Sequence, residues 1–250
     1  MSGHEFQSWF PESGSIDYAD DATNLTETTL AEMRQIAARY PQARSALLPM
    51  LHLVQSVDGR ISPAGVQACA DILGITTAQV SGVATFYTMY RRRPAGKHHV
   101  GVCTTALCAV MGGDHLMERV CDRLGIHEGE TTADGTFSLE RIECNAACDF
   151  APVLMVNWEF FDNMTPERVD ELLDALAADE AVQSPRGATI TSWKDAERVL
   201  AGFPDGRADE GPTAGEASTL GLRVAHERGW AAPEPSNPGQ PDDDEQGGAR

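Results

Sequence analysis

Long apolar runs are missing from this chain of 250 residues. The longest, such as Ala151 to Val156, fall far short of the ~20 residues a membrane-crossing helix needs. Met1 to Pro11 lacks a basic stretch followed by an apolar one, so no secretory signal is expected and a cytoplasmic location is. Basic residues are scarce: 19 Lys and Arg against 38 Asp and Glu give a formal net charge of -19. That sign repels nucleic-acid phosphates and anionic lipid, so no nucleic-acid partner and no direct membrane insertion are expected. No glycine-rich phosphate loop follows a predicted strand, which leaves nucleotide binding by this chain alone without support. No Cys-x-x-Cys occurs, which argues against dithiol exchange.

What is present divides the chain into four stretches. Residues 1–24 are polar and read as an extended arm, with Trp9, Phe10 and Tyr18 able to pin it to a surface. Residues 25–94 read as a helical bundle. Thr29 with Glu32 makes a capping-box pattern, Pro49 either kinks a second helix or marks its first turn, Ser62-Pro63 opens a third that Gly74 closes, and a fourth runs from about Thr77. Residues 95–180 change character to strand, helix, strand, strand, helix: His98 to Val102, a helix carrying Leu116, Val120 and Leu124, Phe137 to Ile142, Val153 to Asn157 turning back through Trp158 to Phe161, and a helix from Thr165-Pro166. This predicts a small α/β layer with mixed strand directions. Residues 181–250 read as an acidic Gly/Pro-rich tail, with one short helix around Trp193. From residue 204 onward it holds ten Asp and Glu against four Arg, too little apolar surface to fold alone. Leu220, Leu222, Val224 and Trp230 stand out there as residues able to dock on a partner. The run Arg91-Arg92-Arg93 reads either as a solvated loop or as a patch for an acidic neighbour.

Six cysteines occur, and four of them form two close pairs: Cys103 with Cys108, then 35 intervening residues, then Cys144 with Cys148. In a chain without an export signal such pairs bind metal or do redox work more often than they form disulfides. The first pair lies where a strand hands over to a helix, the second where one strand hands over to the next, so both reach one end of the sheet. Four thiolates suit zinc or an iron–sulfur cluster. The looser spacing and the small neighbours Thr104, Thr105, Ala106, Asn145, Ala146 and Ala147, which leave backbone amides free to reach sulfur, lean toward the cluster. A structural zinc module on the same thiols stays open. Cys69 and Cys121, each single inside an amphipathic helix, read as small buried hydrophobes. His98-His99 makes a poor ligand pair because adjacent strand residues point to opposite faces.

Ser45 to Gln55, Val83 to Tyr90, Cys103 to Cys108, Glu143 to Cys148 and Ala151-Pro152 together resemble segments of one family: the thioredoxin-like [2Fe–2S] subunit of respiratory complex I, the E subunit of NADH-quinone oxidoreductase. The likeness covers roughly residues 28 to 180. It implies an α+β fold, an N-terminal helical bundle followed by a thioredoxin-like α/β [2Fe–2S] ferredoxin domain, with a mostly irregular C-terminal tail. It also implies one [2Fe–2S] cluster on Cys103, Cys108, Cys144 and Cys148. A flavin- and NADH-binding partner subunit would carry FMN and NADH, and further peripheral-arm subunits would lie nearby, at the inner face of the cell membrane. This chain would then relay electrons without binding substrate. The equivalent diaphorase subunit of an NAD-linked hydrogenase or formate dehydrogenase shares the cysteine pattern. One departure concerns the second pair, where many relatives have Leu-Gly and this chain has Asn145-Ala146.

Overall fold

The structure, a computed structural model, describes residues 23–211 and 216–231. The expected arm, with Trp9, Phe10 and Tyr18, lies almost wholly outside the described residues, as does the chain from residue 232 onward.

Four helices come first: α1 (Glu27–Ala38), α2 (Leu47–Asp58), α3 (Pro63–Leu73) and α4 (Thr77–Phe86). The cap of α1 is Thr26, whose hydroxyl accepts the Thr29 N–H at 3.3 Å while Thr29 reaches back to the Thr26 N–H. The capping box therefore sits one turn ahead of the expected Thr29–Glu32 pair. A threonine at the third helical position can return the hydrogen bond as a glutamate would. Ser62 caps α3 with Pro63 in its first turn, and Gly74 ends it at φ 64°. Met33, Ile36, Met50, Leu51, Val54, Cys69 and Val80 form the buried centre of these helices.

The sheet has the order β2-β1-β3-β4, built from β1 (His98–Cys103), β2 (Phe137–Ile142), β3 (Leu154–Val156) and β4 (Glu159–Phe161). β1 and β2 run parallel in register His98 to Phe137, which requires the crossover through α5 (Ala106–Val110) and α6 (Gly113–Leu124). β3 pairs antiparallel with both β1 and β4. The β3–β4 hairpin turns on two residues, Asn157 at φ 51° and Trp158 at φ 74°. Both lie in the left-handed region that a tight hairpin demands, and asparagine tolerates it better than most residues. α6 and α7 (Pro166–Ala177) contribute Leu116, Val120, Val169, Leu172 and Leu173 to a core against the sheet. The mixed layer and its strand order along the chain match the expectation.

Residues 181–211 differ from it. They begin no loose tail: Ser184, Trp193, Glu197 and Ala201 are all buried. Trp193 and Glu197 belong to α8 (Trp193–Leu200), which packs against α2, and the Trp193 N–H donates to the Lys97 carbonyl at 2.8 Å. The physical reason is an apolar stripe short enough to be diluted by the acidic composition around it. The described residues up to 211 group as one compact unit. A separate unit holds α9 (Glu216–Glu227), on which Leu220 and Leu222 are exposed; Trp230, just beyond it, is exposed too. Twelve helical residues therefore interrupt what reads as irregular sequence.

Candidate metal centre

β1 ends at Cys103; Val100, Gly101 and Val102 pair with both neighbours and the Cys103 N–H donates to the Val153 carbonyl at 3.1 Å, which fixes where that thiol emerges. Thr105 precedes α5, and Cys108 lies on that helix, buried like Cys103. The next turn is tight: Gly112 takes φ 105°, and a side chain at Gly113 would meet the carbonyl oxygens of Cys103 and Cys108 at 2.5 and 2.8 Å. Only glycine admits α6 this close to the two cysteines. Cys144 follows β2, and Cys148 opens a short 3-10 turn that runs to Phe150. Both are exposed, and the Ala151–Pro152 peptide after them is cis.

The four thiols meet as two pairs. Cys103 lies beside Cys108, and Cys144 beside Cys148, near enough for ionisation within each pair to be linked. Across the pairs, Cys148 is near enough to Cys103 and Cys108 for their charges to interact. Burial opposes ionisation of Cys103, but the Thr105 hydroxyl (3.3 Å), the Thr105 and Asn145 backbone N–H groups and the Cys108 thiol together hold it below the usual thiol range. Burial pushes Cys108 up to about 11, assisted by the negative charge on Cys103. Cys148 is raised by its hydrogen bond and charge repulsion with Cys144. The arrangement thus favours the Cys103 thiolate and resists ionisation of Cys108 and Cys148 until a cation arrives to neutralise them.

These residues fit a two-iron centre. Among the described residues no three His, Cys, Asp or Glu side chains are grouped closely enough to hold one metal ion. The two thiol pairs would supply the four thiolates of a [2Fe–2S] centre, which would add one-electron redox chemistry at this end of the sheet. One amide already donates to sulfur, Ala146 N–H to Cys144 at 3.3 Å, and the Asn145 and Val153 N–H groups lie near enough to Cys103 and Cys108 to favour their thiolates. One buried donor has no protein partner at all, the Asn145 side-chain nitrogen. Ala146 holds φ 53°, a left-handed conformation that costs an alanine about 1–2 kcal/mol and a glycine little.

The model of the thioredoxin-like [2Fe-2S] ferredoxin family matches residues 33–177. The chain belongs to that family. By this family membership it is an iron–sulfur electron-transfer protein, and the match takes in the helical region, both cysteine pairs and α7. Among its relatives is the NADH-quinone oxidoreductase E subunit of Mycobacterium tuberculosis (strain H37Rv), 55% identical over 203 residues, 81% of each chain. The Rickettsia bellii E subunit of NADH-quinone oxidoreductase is 39% identical over 166 residues, 65% of this chain and 96% of that one. The NADH-quinone oxidoreductase subunit 2 of Thermus thermophilus is 36% identical over 171 residues, 67% and 91% of the two chains.

The other candidates lie elsewhere in this ferredoxin-family fold. Cys69 is fully buried among helices, its thiol pushed up to about 12 by burial, and Cys121 lies half-buried on α6. His98 stacks toward Phe137 at 5.7 Å while His99 turns to Arg91, Ser138 and Glu140, so the two share no ligand. Arg91 is drawn in to pair with Glu140, leaving Arg92 and Arg93 exposed. Three features are not legible in the sequence alone: the Gly112-Gly113 close approach, the Asn145 side chain and the buried Glu197. A glycine pair directly after the first cysteine pair is the available signal for the first.

Proposed function

We propose that Cys103, Cys108, Cys144 and Cys148 hold one [2Fe–2S] cluster, and that the chain is the electron-relay subunit of an NADH-quinone oxidoreductase. The observation that carries this reading is the meeting of two thiol pairs, from loops 35 residues apart in sequence, at one end of the sheet. When bound, such a centre supplies one-electron storage at a potential set by its surroundings. The chain's own residues then divide the work. Cys103 and Cys108, buried, anchor one side, and the backbone N–H groups of Asn145, Ala146 and Val153 point positive dipole ends at sulfur. Each such donor favours the more negative, reduced state and raises the potential, against a net charge of -19 that lowers it.

Cys144 and Cys148, exposed, face the direction from which electrons arrive. Leu107, Val110 and Met111, around the buried Cys108, are exposed apolar side chains suited to a docked protein. The donor in this reading is the FMN of a partner subunit that takes hydride from NADH, so this chain binds no substrate. No described helix is long and apolar enough to cross a membrane, and the proposed place is the peripheral arm at the inner membrane face. The names of the relatives favour this assembly over a hydrogenase or formate dehydrogenase diaphorase.

Cys144→Ala tests it. The purified wild-type chain is expected to be reddish-brown, to bleach with dithionite, and to give a reduced [2Fe–2S] EPR signal that the variant loses. A variant with an unchanged signal removes Cys144 from the ligand set, and a colourless wild-type chain with one zinc per molecule overturns the reading.

A further inference from the structure

Asn145 sits between the two cysteine loops. Its backbone N–H lies near Cys103 on the other loop, and the next N–H, that of Ala146, donates to Cys144 at 3.3 Å. Its own side-chain nitrogen, Nδ2, is buried without a hydrogen-bond partner. Among the described residues only His98 Nε2 and Trp193 Nε1 share that condition. Those two belong to the far end of β1, where Trp193 is bonded to Lys97. An amide nitrogen stripped of water with no acceptor costs about 1–3 kcal/mol, and folded proteins seldom leave such a group idle. The cysteine thiols are not its partners as they stand, so the acceptor that would reach this place is a sulfur that a bound centre would bring.

We propose that the Asn145 carboxamide donates a hydrogen bond to a sulfur of the [2Fe–2S] centre and raises its reduction potential. The proposal rests on the four-cysteine reading above and deepens it: Asn145 is a positioning and tuning residue, not a ligand. Reduction adds one negative charge shared over iron and sulfur, so an N–H aimed at sulfur stabilises the reduced state more than the oxidised one. Leucine at this position has no such donor. This chain therefore poises its cluster higher than the same loop with leucine would. A purely space-filling role makes a different forecast, because leucine fills a comparable volume and leaves the potential where it was.

The test uses the full chain with its cluster, wild type beside N145L and N145Q, each titrated against solution potential with the reduced EPR signal as readout. In N145L, with iron and sulfide content unchanged, the reduced-to-oxidised ratio at a fixed potential is expected to fall about tenfold, equivalent to about 59 mV for a one-electron couple. N145Q keeps a donor and is expected to recover part of the loss. Wild-type chain labelled with 15N at the asparagine side chain is expected to show a nitrogen hyperfine coupling to the reduced centre. An N145L cluster that titrates at the wild-type potential overturns the proposal. So does the absence of the 15N coupling, which decides the matter even where N145L takes up no cluster. A wild-type chain with no cluster spectrum overturns the four-cysteine reading as well, and so is distinguishable from failure of this proposal alone.

Discussion

His99 shows how one residue's environment becomes a property of the fold. It is 3% exposed on β1, with Nδ1 3.0 Å from the Ser138 hydroxyl and Nε2 facing both Arg91 (2.5 Å) and the Glu140 carboxylate (3.1 Å). Glu197 adds a more distant negative charge. Burial, aided by the Arg91 charge and opposed by Glu140, holds its pKa below the ordinary 6.5. The neutral ring accepts from Arg91 at Nε2 and donates to Ser138 at Nδ1. An unfolded chain binds a proton below about 6.5 that the folded one refuses, so this contribution is complete above that pH and is lost as pH falls below it. Glu140, opposed by burial but held low by His99 and Arg91, acts with the same sign further down: its contribution is present above the ordinary 4.5 and disappears as pH falls through its lowered folded value. Thermal melts from pH 7.5 to 5 should show a falling melting temperature in the wild type and a flatter line in His99→Gln. The flattening is partial because His98 is also lowered by burial. A wild type indifferent to pH over that range would refute the assignment. Strand alternation alone separates His98 from His99 in the sequence. It gives no means to see the Arg91 contact, because that depends on the loop before β1 folding back over the sheet.

At the scale of the element, α8 is held by a buried carboxylate. Glu197 is fully buried, its Oε2 2.6 Å from His52 Nδ1 and 2.8 Å from Gln55 Nε2 on α2, its Oε1 accepting from Trp158 Nε1 at 2.9 Å. Gln55 in turn accepts the Arg91 N–H at 2.5 Å through its own carbonyl oxygen. One carboxylate thus ties a helix of the bundle, the β3–β4 turn and α8 together, and every donor around it has lost water. Glu197→Ala strips three donors of their acceptor and is expected to destabilise the chain by about 2–4 kcal/mol in urea unfolding. Glu197→Gln, which keeps one oxygen, is expected to lose less. A loss under about 1 kcal/mol for alanine would show that water replaces the carboxylate without penalty. The short helix around Trp193 is legible from its apolar residues. Glu197 is not, because a glutamate reads as solvent-facing until its donors, contributed by residues about 40 to 145 positions away in sequence, are seen.

For the molecule as a whole, periodicity is enough to read the strands and helices of residues 25–180, since long amphipathic helices and β-branched strands carry their own signal. The cysteine spacing brings the two pairs to one end of the sheet for a similar reason: the ends of β1 and β2 are adjacent in a parallel pair, so loops leaving both converge. The end of the packed unit is not legible. Residues 181–211 are diluted in apolar content, and their contribution lies in a few anchors: Trp193 at 1% exposure, Glu197, Ala201, and Arg198 paired with Glu32 at 2.6 Å. Removing them opens the faces of α2 and of the sheet's His98 end together. Two truncated chains therefore separate the boundaries. Deleting a buried tryptophan alone costs about 3–5 kcal/mol, and a unit of this size loses about 2–4 °C per kcal/mol. A chain ending at residue 190 should melt about 10 °C or more below one ending at 211, and should expose apolar surface to a hydrophobic dye. If the two melt within about 2 °C of each other, α8 is an ornament on a unit already complete at residue 180, and the tail begins where the composition alone would put it.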